Sequence, residues 1–424
     1  MSATVEQPRL RNLEIFPVQS DGRRYICLRD PEGFAQQLMI VSEEAGVLLS
    51  CMDGSHSVSE IQAAFVRRFG QLVFSDRVTA LIKALDESLM LDSPRFRDYF
   101  EELRRDFVDA PVRASSHAGT AYPAEPEVLL RRIDSFFSHP EGPGSLPPDS
   151  AEGDGSGLRR VSAIVAPHID LHRGGTTYAW AYHGVSRAEP VDLFIILGIN
   201  HNAANHLYSL SSKDYQTPLG IQRTNQDAVS FIRERCGDWI VEDEIAHRNE
   251  HSIEFQVAFL QHLFDRVAWG KENAQPEIVP VLCSSFLHLL QPGQPAGALP
   301  ELASFTEALR DLVRGFNGNV CAIASVDLSH VGPRFGDRSP VSPIQMRALE
   351  SQNLSLLHKV ASLDAEGFLA EIREDDNRTR IDAVPAVYAM LTSLELRKGQ
   401  LLKYNQAAEE GGQSCVTFAS LSFE

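Results

Sequence analysis

Three short apolar runs in this chain each lead into a potential metal ligand. Val161-Ser162-Ala163-Ile164-Val165-Ala166 precedes Pro167-His168, and Leu193-Phe194-Ile195-Ile196-Leu197 precedes Gly198-Ile199-Asn200-His201. Val320-Cys321-Ala322-Ile323-Ala324-Ser325 runs into Val326-Asp327-Leu328-Ser329-His330. Short apolar runs without polar alternation fit strands covered by helices on both faces. In open α/β sheets the carboxyl ends of the strands meet in one crevice, where ligands bind. Two imidazoles and a carboxylate delivered there from separate strands make a natural shell for a metal ion or an acid/base site.

The intervening segments alternate in the same manner. Helices are expected near 176–183, 225–236, 251–264, 303–315, 341–361, 364–372 and 383–396, with a further strand at 278–282. Two β-rich runs at 400–404 and 415–421 suit a hairpin-like addition to the sheet. The pattern predicts an α/β domain over 108–424, built on a mainly parallel sheet flanked by helices. Two stretches inside it, 139–157 and 291–300, are rich in Pro, Gly and Ser and read as low-order loops.

Residues 1–107 read differently. Two strand-like runs near 24–28 and 38–41 come first. A helix follows from Ala45 with Ser42 as its cap, then one capped by Ser57 or Ser59 with Ile61, Phe65 and Phe69 on one face. A third spans about 76–90, with Val78, Leu81, Ile82 and Leu85 as its stripe, and a charged connector covers 96–107. This order suggests a small α+β, winged-helix-like module. Its pattern is similar to the PqqD-like domains that present a strand edge and a groove to a peptide; a helical appendage that covers the main domain or dimerises it is the other reading.

At 424 residues, with 43% hydrophobic and 23% charged residues, the chain can bury a large core. Its net charge of −18 argues against nucleic acid or an anionic membrane as partner. The six cysteines form no CxxC pair, and no segment reads as a secretory signal or a membrane span. A cytoplasmic location is expected.

Several other histidines bear on the site. His251 and Glu254, three apart on an expected helix, could orient a ligand or act as general acid and base. Asp327 and His330 join them as candidates for catalysis. Gly198 is read as giving freedom to a tight turn before His201. His117 opens the large domain, and Asp170 and His172 lie where one could support His168. His56, His139, His262, His288 and His358 read as surface.

Seven segments occur in a telling order: Ser116-His117-Ala118-Gly119-Thr120-Ala121-Tyr122-Pro123, Ala166-Pro167-His168, Ile196-Leu197-Gly198-Ile199-Asn200-His201, Tyr215-Gln216-Thr217-Pro218-Leu219-Gly220, Glu250-His251-Ser252-Ile253-Glu254, Ile278-Val279-Pro280-Val281-Leu282 and Ser325-Val326-Asp327-Leu328-Ser329-His330. The succession resembles the Memo family, known in bacteria as the AmmeMemoRadiSam system protein B, from about Ser115 to the carboxyl terminus. The resemblance implies the fold of the class III non-haem iron extradiol dioxygenases and a transition metal, iron or copper, at His168 and His201. The family's third ligand, a cysteine, falls here on Ile381, which cannot coordinate a metal. Asp382 could replace it as an oxygen ligand, the third ligand could come from Asp327, His330 or His251, or the site holds no metal. Two imidazoles with a carboxylate suit iron(II), with zinc or copper as alternatives. The functions that follow are metal-dependent redox chemistry on a small molecule or peptide, binding without catalysis, or zinc hydrolysis with Glu254 as base. The resemblance also implies partnership with a radical S-adenosylmethionine enzyme and a companion protein.

Overall fold

Residues 6–35, 37–146, 160–267, 275–409 and 411–424 are described by the structure, a computed structural model. Most of the expected loop 139–157 lies outside them. The chain divides into two compact units, Met1–Asp109 and Ala110–Glu424.

In the first unit, strands β1 (Glu14–Ser20), β2 (Arg23–Arg29) and β3 (Met39–Ser42) form an antiparallel sheet in that order. The sequence pattern missed β1, which contains Pro17. Because β1 is an edge strand, the missing N–H breaks no ladder. Four helices follow: Ala45–Ser50, Val58–Phe69, Ser75–Glu87 and Pro94–Asp109. Ser57 and Glu60 close a reciprocal capping box at the second. Ser42 caps nothing, since the first helix starts from Glu44 without a side-chain cap. Ile61, Val78, Ile82 and Leu85 bury against Leu28, Leu48, Leu49 and Met52, whereas Phe69 stays exposed.

The second unit adds β4 (Val112–Arg113), β5 (Ala163–Ala166), β6 (Leu193–Ile199), β7 (Tyr208–Leu210), β8 (Asp214–Thr217), β9 (Gly220–Gln222), β10 (Glu277–Cys283), β11 (Val320–Ser325), β12 (His330–Val331), β13 (Gly399–Ala408) and β14 (Cys415–Phe423). Eight of them build one sheet, in the order β12-β14-β5-β11-β6-β10-β7 with β13 also on β14. The central four, β5-β11-β6-β10, are parallel, as the apolar runs predict. The edges are antiparallel: β7 on β10, and β14, β12 and β13 on the β5 side. The 400–404 and 415–421 runs thus do form a hairpin that extends the sheet.

The reason for the missing polar alternation is visible in the core. Ala163, Val165, Leu193, Ile195 and Leu197 pack on one face, beneath helices including Pro300–Gly315 and Val384–Ser393. Ile164, Ala166, Phe194 and Ile196 pack on the other, beneath Pro126–Phe137, Leu171–Ser186 and His251–Arg266. Both faces are dry, so both sets must be apolar. The 291–300 stretch, expected to lack order, is held by Arg373, which donates to the carbonyls of Gln291 and Gln294, and Ala296 is fully buried. Among the described residues no helix is long and apolar enough to cross a membrane.

Candidate metal centre

Helix His251–Arg266 is stitched to the carboxyl ends of three parallel strands. Ser252 Oγ donates to the Ile199 carbonyl at the end of β6 at 2.8 Å. Gln256 donates to the Pro167 carbonyl after β5 and to Ser325 Oγ at the end of β11, both at 2.7 Å. Gly198 permits this approach: a Cβ there would sit 2.6 Å from Ser252 Oγ and 2.7 Å from the Ile253 side chain. Its backbone is ordinary strand, so close packing, not turn freedom, requires the glycine.

The seam brings His168, His201 and His251 together. One possible ligand atom from each lies within 4.8 Å of the others. Their rings are 5.0 Å (168 to 201), 5.2 Å (168 to 251) and 4.9 Å (201 to 251) apart. Every Nδ1 is engaged from behind. That of His168 donates to the Ser325 carbonyl at 3.0 Å, an acceptor that fixes the tautomer. Those of His201 and His251 both lie 3.1 Å from Oε1 of Glu250. Glu250 also accepts from the backbone N–H groups of His201, His251 and Ser252. In each imidazole Nε2 is therefore the nitrogen not engaged from behind, the arrangement that orients metal-ligating histidines.

Two aspartates complete the surroundings. Asp327 accepts the His168 backbone N–H at 3.1 Å and places its other oxygen 3.7 Å from His168 Nε2. Asp382 Oδ1 accepts from the Asp327 N–H at 2.9 Å. Its Oδ2 lies 3.3 Å from Nε2 of His168 and 3.7 Å from Nε2 of His330, yet is buried and makes no hydrogen bond. An orphaned carboxylate oxygen beside His168, itself one of three clustered imidazoles, adds oxygen to a nitrogen donor set, and the residues fit a divalent transition metal.

Electrostatics point the same way. Burial opposes protonation of His168, but Asp327 and Asp382 outweigh it and lift its pKa to about 10. Burial raises the Asp327 carboxyl. For Asp382, burial works upward, but His168 and His330 outweigh it and hold the acid below its ordinary range. Glu250 is held far below that range because His201 and His251 outweigh its burial. Burial pushes His251 down to about 4, against the pull of Glu250, so its ring is neutral and able to ligate.

The structure divides the candidates read from sequence. His251, expected as an acid/base group beside Glu254, belongs to the histidine trio. Glu254 faces away and anchors the 113–122 segment: it pairs with buried Arg113 and accepts from Ser116 N, Ser116 Oγ, His117 N and the Tyr122 hydroxyl. With its oxygens so engaged it is no free general base. His330 stands behind Asp382, its Nδ1 3.0 Å from the carbonyls of Leu328 and Arg380. His117 flanks the trio, 5.7 Å from the His251 ring. Asp170 caps helix Leu171–Ser186 and pairs with Arg173 and an exposed His172, so neither supports His168. His262, read as surface, is fully buried against Phe137 and bonds Asp134 at 2.7 Å. Glu250 is the member of this cluster that sequence reading passed over. Its signal was an acid flush against His251 at a helix start.

Residues 113–422 match the family described as Memo-like protein. A MEMO1 family protein of Aquifex aeolicus is 28% identical over 421 residues, covering 98% of this chain and all of that one. One from Thermus thermophilus is 26% identical over 374 residues, covering 87% and 99%. One from Methanopyrus kandleri is 27% identical over 317 residues, 73% of this chain and 98% of its own length. The match covers the eight-stranded sheet up to Ser422 and every residue of the histidine cluster, and this chain belongs to the Memo-like protein family.

Proposed function

We propose that this protein is a metal-dependent enzyme that holds iron(II) at His168, His201 and His251, with Asp382 beside them, and performs redox chemistry on a small molecule or peptide. The observation that carries the reading is a surplus of buried negative charge. Glu250, Asp327 and Asp382 surround three imidazoles at 3%, 2% and partial exposure. Without a cation, protons answer that charge: the acids lift the pKa of His168 and of His201, and burial raises Asp327. A nitrogen and oxygen donor set without thiolate favours iron(II) or zinc over copper(I). When bound, the metal would supply Lewis-acid and redox chemistry.

The chain's own residues supply the rest. Glu250 and the Ser325 carbonyl aim the rings, and Asp327 and Asp382 set the charge. The His201 side chain is 41% exposed and His168 3%, so a substrate reaches the cluster from the His201 side. Zinc hydrolysis with Glu254 as base has no support, since that carboxylate serves Arg113. The resemblance to bacterial family members proposes a radical S-adenosylmethionine enzyme and its companion as partners, to be sought by co-purification from cells. Metal analysis of protein purified without oxygen tests the main reading. Stoichiometric iron supports it, and protein that neither retains nor takes up a transition metal refutes it.

A further inference from the structure

The opposite end of the same sheet carries a second cleft that the histidine cluster does not use. It lies where β5 and β11 begin, so the length of the strands, about 20 Å, separates the two ends. Its volume is about 600 Å³, and a smaller one of about 240 Å³ adjoins it, sharing Arg160, Lys398 and Glu424. Together they fall within the size range of small-ligand sites.

The lining is cationic in a protein of net charge −18. Arg160, Arg310, Arg314, Arg397 and Lys398 line the larger cleft against two acids, Glu395 and Glu424, and Arg187 joins in the smaller. Of these cations only Arg314 forms a salt bridge among the described residues, with Glu395 at 2.6 Å. Arg310 and Arg314, four apart, share one face of helix Pro300–Gly315. Arg397 and Lys398 are held at the sheet end by their backbones: Arg397 N–H donates to the Glu424 carbonyl at 2.7 Å, and Glu424 N–H to the Lys398 carbonyl at 3.0 Å. The floor is apolar, with Val313, Val320, Leu394 and Leu396. Clustered guanidinium groups over an apolar floor match a ligand with an anionic head and an apolar body.

We propose that this cleft binds a phosphorylated small molecule with a flat or apolar body, of the class represented by nucleoside monophosphates. The phosphate sits among Arg310, Arg397 and Lys398, and the body lies on the apolar floor. The site is independent of the metal reading, because no residue is shared.

Calorimetric titration of the full chain with adenosine monophosphate, and separately with inorganic phosphate, tests it. Saturable binding of the nucleotide is expected, weakening as salt rises. Arg397→Glu with Lys398→Glu should weaken it about tenfold or more, with far-ultraviolet circular dichroism and metal content unchanged. Arg397→Lys, which keeps the charge, should retain most of the affinity and guards against a folding defect in the double variant. Absence of saturable nucleotide binding, or equal affinity in the double variant, overturns the proposal. Inorganic phosphate binding as tightly as the nucleotide overturns the role of the apolar floor.

Discussion

Gly198 lies under Ser252 so closely that a single added carbon would meet its hydroxyl at 2.6 Å. That contact joins the strand delivering His201 to the helix delivering His251. Gly198→Val should force the helix off the strand, destabilising the protein by about 1–3 kcal/mol and lowering metal uptake. Chemical denaturation and metal analysis read the two effects, and a variant with native stability and full metal content would contradict the packing argument.

Glu250 touches two of the three rings and would act on the metal only through them. Glu250→Gln should lower metal affinity about 10- to 100-fold while leaving the fold intact, because the amide still fills the helix start. Competition with a chelator measures the affinity; an unchanged value would show that the rings are aimed by packing alone.

Replacing His168 and His201 together by Ala should abolish metal uptake without unfolding the chain, since the two rings pack on each other and on His251 at the end of the sheet. Elemental analysis alongside circular dichroism decides it. Stoichiometric metal in the folded double variant would refute the site.

The Glu254–Arg113 pair is fully buried. Burial works to raise the Glu254 carboxyl, but Arg113 outweighs it, and the pKa lies below its ordinary value. A carboxylate lowered in the folded state stabilises fully above its unfolded pKa, and that contribution is lost as pH falls through the folded one. Glu254→Ala should cost about 3–5 kcal/mol near neutral pH by leaving Arg113 uncompensated. The difference from the native chain should shrink in acid, below about pH 4. A pH-independent difference in urea denaturation would show that the charge is not the cause.

Much of the architecture could be read in advance because its signals are local. A strand buried on both faces is apolar at every position, and a strand that ends in a crevice must end in the residues that line it. His168, His201 and Asp327 were legible for that reason. The seven ordered segments carried the family likeness. Glu254 was misread because its partner Arg113 is 141 residues away. His262 was misread for the same reason, its acid Asp134 lying 128 residues off. Helical spacing puts His251 and Glu254 on neighbouring positions but does not say which one turns toward the sheet.

By itself the chain determined that parallel strands would present imidazoles and a carboxylate at one end of a sheet, since periodicity and strand ends are properties of neighbouring residues. Only the tertiary structure decided that His251 completes the trio, that Glu250 aims two of its rings, and that Asp382 holds an unbonded oxygen beside them. Those roles depend on which groups meet across the fold. Contacts between distant segments, and the burial that gives each charge its weight, exist only once the chain has closed on itself.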